Sequence, residues 1–104
     1  MTEPGKPALG MIQQQLKELT VILKQAEQDL NTVAGAERVA KWKARTISLI
    51  AQQVGPQEAK RFSETRPGPS FTSDLLEELG DGIEVYRTFL VALAEQVQKA
   101  GWRR

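Results

Sequence analysis

The stretch from Ser73 to Lys99, SDLLEELGDGIEVYRTFLVALAEQVQK, limits what this chain can become more than any other part of it. Its apolar residues Leu76, Leu79, Ile83, Tyr86, Leu90, Leu93 and Val97 recur at steps of three and four, which puts them on one stripe of an α-helix. A second stripe, Leu75, Val85, Phe89 and Ala92, widens that face beyond a narrow seam. A helix of this kind needs cover from more than one side, so the spacing predicts an all-α helical bundle. Asp74 can cap the start, with Glu77 three residues on in a capping-box arrangement. The acidic first turn of Asp74, Glu77 and Glu78 also suits the positive end of the helix dipole. Gly80 and Gly82 lie inside this helix at a cost of about 1 kcal/mol each relative to alanine. Close helix approach or a local kink there is preferred over a ligand-binding glycine pair.

Ahead of this helix, residues 1 to 10 carry Pro4, Gly5, Pro7 and Gly10 and read as a flexible leader. From Met11, the residues Ile12, Leu16, Leu19, Leu23, Ala26, Leu30 and Val33 form a heptad-like seam, which predicts a helix over 11–33. Val21 and Ile22 broaden it midway. Gly35 is expected to stop that helix. A second helix over 36–53 follows, with Ala36, Val39, Ala40, Trp42, Ile47, Leu49, Ile50 and Val54 as its apolar set. Gly55 and Pro56 end it and start a short helix in which Phe62 is pinned into the core. RPGPS, Arg66 to Ser70, then forces a crossover near 65–72. The architecture expected is three long helices plus one short helix in a single domain over 11–101. Gly101 closes it, and residues 102 to 104 form a basic tail. The half of the last helix from Ile83 to Val97 is expected to close the core against Leu16 to Leu30.

Residue types then narrow the function. The chain of 104 residues contains neither cysteine nor histidine, which excludes disulfides, thiol nucleophiles, Cys/His zinc sites and histidine acid–base catalysis. No phosphate-binding glycine loop and no serine-nucleophile elbow is present, so no catalytic set and no cofactor site is found and the chain reads as non-enzymatic. No apolar run approaches the ~20 residues of a membrane span, and the beginning lacks the pattern of a signal peptide. A cytoplasmic protein with no membrane contact is expected.

Charge is uneven along the chain although the net charge is only +1. Residues 1–34 carry three basic and four acidic groups, residues 35–66 seven and three, and residues 67–104 four and six. The basic middle contains RVAKWKAR, in which Arg38, Lys41, Lys43 and Arg45 surround Trp42. Phosphate contact plus base stacking on an exposed indole is one way to hold single-stranded nucleic acid. The spacing of Val39, Trp42, Leu49 and Ile50 favours instead a core tryptophan with solvated cations around it. Lys60 and Arg61 could extend the basic patch. The carboxylates Asp74, Glu77, Asp81 and Glu84 share a face, as in carboxylate-bridged metal bundles, but those normally add a Glu-x-x-His motif, so a solvated acidic face is preferred and no metal is assigned.

Trp42-Lys43-x-Arg45, then Leu49, Gly55 and Phe62, resemble a W-x-x-[R/K]…L…G…F pattern in the helical region preceding TIR-like or other effector domains of bacterial abortive-infection and anti-phage proteins. The last helix with Tyr86 and Leu90 is similar to the closing helix of that region, and the likeness would cover residues 11 to 99. Val54 stands where a phenylalanine is common, and no effector domain is expected after this region. The resemblance implies a non-catalytic module that senses, assembles or regulates, and it supplies no catalytic residue. The leading expectation is thus an interaction or assembly module that works by helix–helix association, with itself or with a protein partner. The alternative is a small nucleic-acid-binding bundle that uses Arg38, Lys41, Lys43, Arg45, Lys60 and Arg61, with affinity that falls steeply as salt rises.

Overall fold

The computed structural model describes residues 6–68 and 74–101, and these form four α-helices with no strand among them. They are α1 (Lys6–Asp29), α2 (Thr32–Gln53), α3 (Pro56–Glu64) and α4 (Leu75–Gly101), of 24, 22, 9 and 27 residues. The all-α class expected from the periodicity holds, while the helix ends differ from those expected.

α1 begins at Lys6, so residues 6–10 are helical rather than part of a leader. Pro7 sits in the first turn, where the N–H it lacks would have had no partner in the helix. Burial explains the extension. Ala8, Met11, Ile12, Gln15, Leu19, Ile22 and Ala26 are buried along one face, so the seam continues back past Gly10. The leader residues 1–5, the crossover residues 69–73 and the tail 102–104 lie outside the described residues.

The first helix stops at Asp29, four residues short of Val33. Leu30 takes a left-handed φ of 53°, and Asn31 then caps α2, its side-chain oxygen accepting from the N–H of Ala34 at 3.1 Å. Gly35 is therefore inside α2 and has another role: a Cβ there would lie 2.8 Å from Leu79 Cδ2 and 3.1 Å from Ala26 Cβ. Side chains of α1 and α4 both press on the backbone of α2 at this point. Leu30 and Val33, expected in the α1 seam, are exposed at 75% and 68% because the helix ends before them.

Contacts fix the directions of the helices. Ala26 meets Gly35 and Gln15 meets Trp42, so α1 and α2 are antiparallel. Leu23 approaches Gly80 and Thr20 meets Arg87, so α1 and α4 are antiparallel too. That pairing places Ile83 to Val97 against the earlier part of α1, a register shifted from the expected Leu16 to Leu30. Gly35 against Leu79 and Trp42 against Tyr86 make α2 and α4 parallel. The short α3 permits this, since it reverses the chain over one half of the α2–α4 groove before the crossover to α4.

The core gathers Ile12, Leu19, Trp42, Ile50, Phe62, Ile83 and Leu90, all fully buried. Trp42 packs edge-on against Phe62 with ring centroids 5.9 Å apart, and Phe62 lies 5.8 Å from Tyr86 and 5.1 Å from Phe89. The indole Nε1–H donates to the Gln15 carbonyl at 3.0 Å, which settles Trp42 as a core residue. Gln15 itself is buried. Its side-chain oxygen lies 3.1 Å from Thr46 Oγ1, a hydroxyl also 2.8 Å from the Trp42 carbonyl. This polar pair occupies seam positions in both helices and belongs to no apolar pattern.

Candidate functional site

At the start of α4, Asp74 Oδ1 accepts from the N–H groups of Leu76 and Glu77 at 2.9 and 3.2 Å, the cap its position in the sequence implies. This end of α4 runs beside the start of α2, and between them lies a cleft of about 650 Å³. Val33, Ala36 and Val39 form its α2 wall, and Leu75, Leu79, Ile83 and Val85 its α4 wall. It is open because α3 covers only the other half of the groove, where Phe62 meets Trp42, Tyr86 and Phe89.

One end of the cleft is bounded by the chain leaving α3. Lys43 Nζ donates to the Thr65 carbonyl at 2.8 Å, stands 3.5 Å from the Tyr86 hydroxyl and lies over the Tyr86 ring at 4.8 Å from its centre. Burial, with Arg66 nearby, holds the Lys43 ammonium below the ordinary lysine range. Burial pushes the Tyr86 phenol up, while Arg66 opposes that shift. Beyond Thr65, Pro67 Cγ comes within 3.2 Å of where a Gly82 Cβ would stand, so the lack of a side chain at Gly82 seats this segment on α4. Gly80 has only Leu23 Cδ1 near it, at 4.0 Å. Of the two glycines, Gly82 answers to close approach and Gly80 does not.

The six basic residues singled out from the sequence do not form one patch. Arg38, Lys41 and Arg45, at steps of three and four on α2, line a groove of about 360 Å³ against α1 together with Lys17, Glu18, Val21 and Ile22. Within it Arg38 Nη1 is buried with no hydrogen-bond partner among the described groups. Arg45 is paired with Glu18 at 3.0 Å. Lys43 points the other way, into the Thr65–Tyr86 junction. Lys60 and Arg61 are exposed on α3 and line neither groove, and Arg61 pairs with Glu58 at 3.2 Å. A nucleic-acid strand would meet a buried indole and divided cations.

No cluster of three or more acidic side chains is placed to hold a metal ion among the described residues, and none of their helices is long and apolar enough to cross a membrane. The residues of the larger cleft were visible in the sequence under other descriptions. By its spacing Val33 belongs to the α1 seam, Leu75 and Val85 to a secondary stripe, Glu78 to an acidic first turn and Asp81 to a solvated face. The signal that joins them is the face Leu75, Glu78, Gly82, Val85 of α4, which the short α3 cannot cover along its full length. Comparisons with protein families, with characterised proteins and with solved structures give no match.

Proposed function

We infer that this chain is a non-enzymatic interaction module that acts by helix–helix association, with the cleft between α2 and α4 as the seat for a further helix. The observation that carries the reading is the half-covered groove. Three long helices and one short one leave room for a fourth partner of full length, and Val33, Val39, Leu75, Leu79 and Ile83 offer it an apolar floor. Val33 and Leu75 are 68% and 61% exposed at its margin, and a third exposed residue, Leu30, stands at the same end of the bundle.

The likeness of Trp42, Arg45, Leu49, Gly55 and Phe62 to the helical region of bacterial anti-phage proteins supports an accessory or regulatory role in a cytoplasmic defence protein. Nucleic-acid binding has less support, since the Trp42 face is buried and Lys43, Arg45 and Arg61 already have partners. Analytical ultracentrifugation of the full chain, alone at rising concentration and with a panel of amphipathic helical peptides of varied flanking charge, tests the reading. Association with a peptide or with itself is expected, and its loss in Val33→Gln/Leu75→Gln locates it at the cleft. A chain that stays monomeric and binds no peptide of the panel would overturn it.

A further inference from the structure

The α2–α4 cleft has a charge pattern as well as an apolar floor. Glu37 lines it from α2, and Glu78 and Asp81 line it from α4, while no lysine or arginine does. Among the described residues these three carboxylates enter no ion pair, unlike Glu18, Glu58 and Glu84, each of which pairs with an arginine. The acidity is local, because the whole chain carries a formal charge of +1.

Resting on the reading of this cleft as a helix seat, the geometry points to its occupant: an amphipathic helix of a separate protein, with an apolar stripe that fills the cleft and lysines or arginines along both flanks. An apolar stripe set between cations matches a floor of valine, leucine and isoleucine between two acidic walls. A second copy of this chain fits poorly. Among its described residues the cations that line a groove together are Lys17, Arg38, Lys41 and Arg45 between α1 and α2, where Val21 is the one large exposed apolar side chain, and a single valine does not fill 650 Å³. An anionic lipid surface would meet like charge at Glu37, Glu78 and Asp81.

Two fluorescently labelled amphipathic peptides with the same leucine stripe, one flanked by lysines and the other by glutamates, are titrated with the full chain and read by anisotropy. The lysine peptide is expected to bind about tenfold more tightly, the sum of three partly exposed ion pairs. The difference closes in Glu37→Gln/Glu78→Gln/Asp81→Asn and at high salt, and Val33→Gln/Leu75→Gln weakens the lysine peptide at any salt. Equal binding of both peptides, still sensitive to Val33→Gln/Leu75→Gln, overturns the basic partner and keeps the cleft as a helix seat. Binding of neither overturns the seat as well. Self-association that competes with the lysine peptide, or uptake of a small apolar dye with no peptide binding, assigns the cleft to another occupant and overturns the proposal.

Discussion

At Leu30 the backbone is left-handed, a conformation that costs a side chain-bearing residue roughly 1–2 kcal/mol, and the leucine is exposed, so no packing offsets it. Leu30→Gly is expected to raise stability by about 1 kcal/mol in urea unfolding, because glycine takes this φ freely. Gly35 is the converse case, a glycine required for space within a helix. In Gly35→Ala the gain of about 1 kcal/mol in helix propensity is set against overpacking on Ala26 and Leu79 of about 1–3 kcal/mol, so a net loss of about 1 kcal/mol is expected in the same measurement. Lys43 adds a pH dependence. Its folded pKa is lowered by burial and by Arg66, so between that value and 10.5 the unfolded chain binds more protons than the folded one. Stability of the wild type relative to Lys43→Met should therefore rise as pH approaches 10.5 from below, followed by denaturant titration at each pH. Tyr86 acts in the opposite sense only above its own ordinary value of 10.0, where the unfolded phenol ionises first.

Among the elements, α3 is the smallest and depends most on one side chain. Phe62 is fully buried against Trp42, Tyr86 and Phe89, so Phe62→Ala should cost about 3–5 kcal/mol. Hydrogen exchange should then show the α3 amides exchanging far faster than those of Leu19 to Ala26 in α1. The existence and faces of α1, α2 and α4 were legible in the sequence because burial imposes a helical period on Ile12, Leu19 and Ala26, on Val39, Trp42 and Ile50, and on Ile83, Tyr86, Leu90 and Leu93. The turn between α1 and α2 was not, since a glycine at 35 outweighed the cap residue Asn31 four places earlier. Gln15 and Thr46 were missed for a different reason: they satisfy each other across two helices, and polar residues paired in a core break the apolar pattern that reveals it. The basic residues of α2 were read as neighbours in sequence, whereas their helical spacing already divides Arg38, Lys41 and Arg45 from Lys43. The open cleft could not be read at all, because whether Leu75 and Val85 are covered depends on where a nine-residue helix comes to rest.

The whole molecule is a rod, 48 × 24 × 19 Å, with a radius of gyration of 14.7 Å against about 13 Å for a compact chain of this length. Such a shape keeps much of each helix near the surface, which is why a short α3 leaves so much of one groove open. Antiparallel packing of α1 and α4 around the Thr20–Arg87 contact sets Lys6 and Gly101 at equal distances from it, roughly 21 Å along the axis in the same direction. Both outer helix ends thus lie at one pole of the rod, and the cleft around Asp81 lies roughly 30 Å away toward the other. A folded tag joined before α1 or after α4 should leave the affinity for a helical peptide within about twofold of the untagged chain, measured by titration of each fusion, since neither attachment reaches the seat. The antiparallel course of α1 and α4 thereby gathers both outer helix ends at one pole and leaves the open cleft toward the other, so that whatever is joined at either end leaves the mouth of the cleft clear.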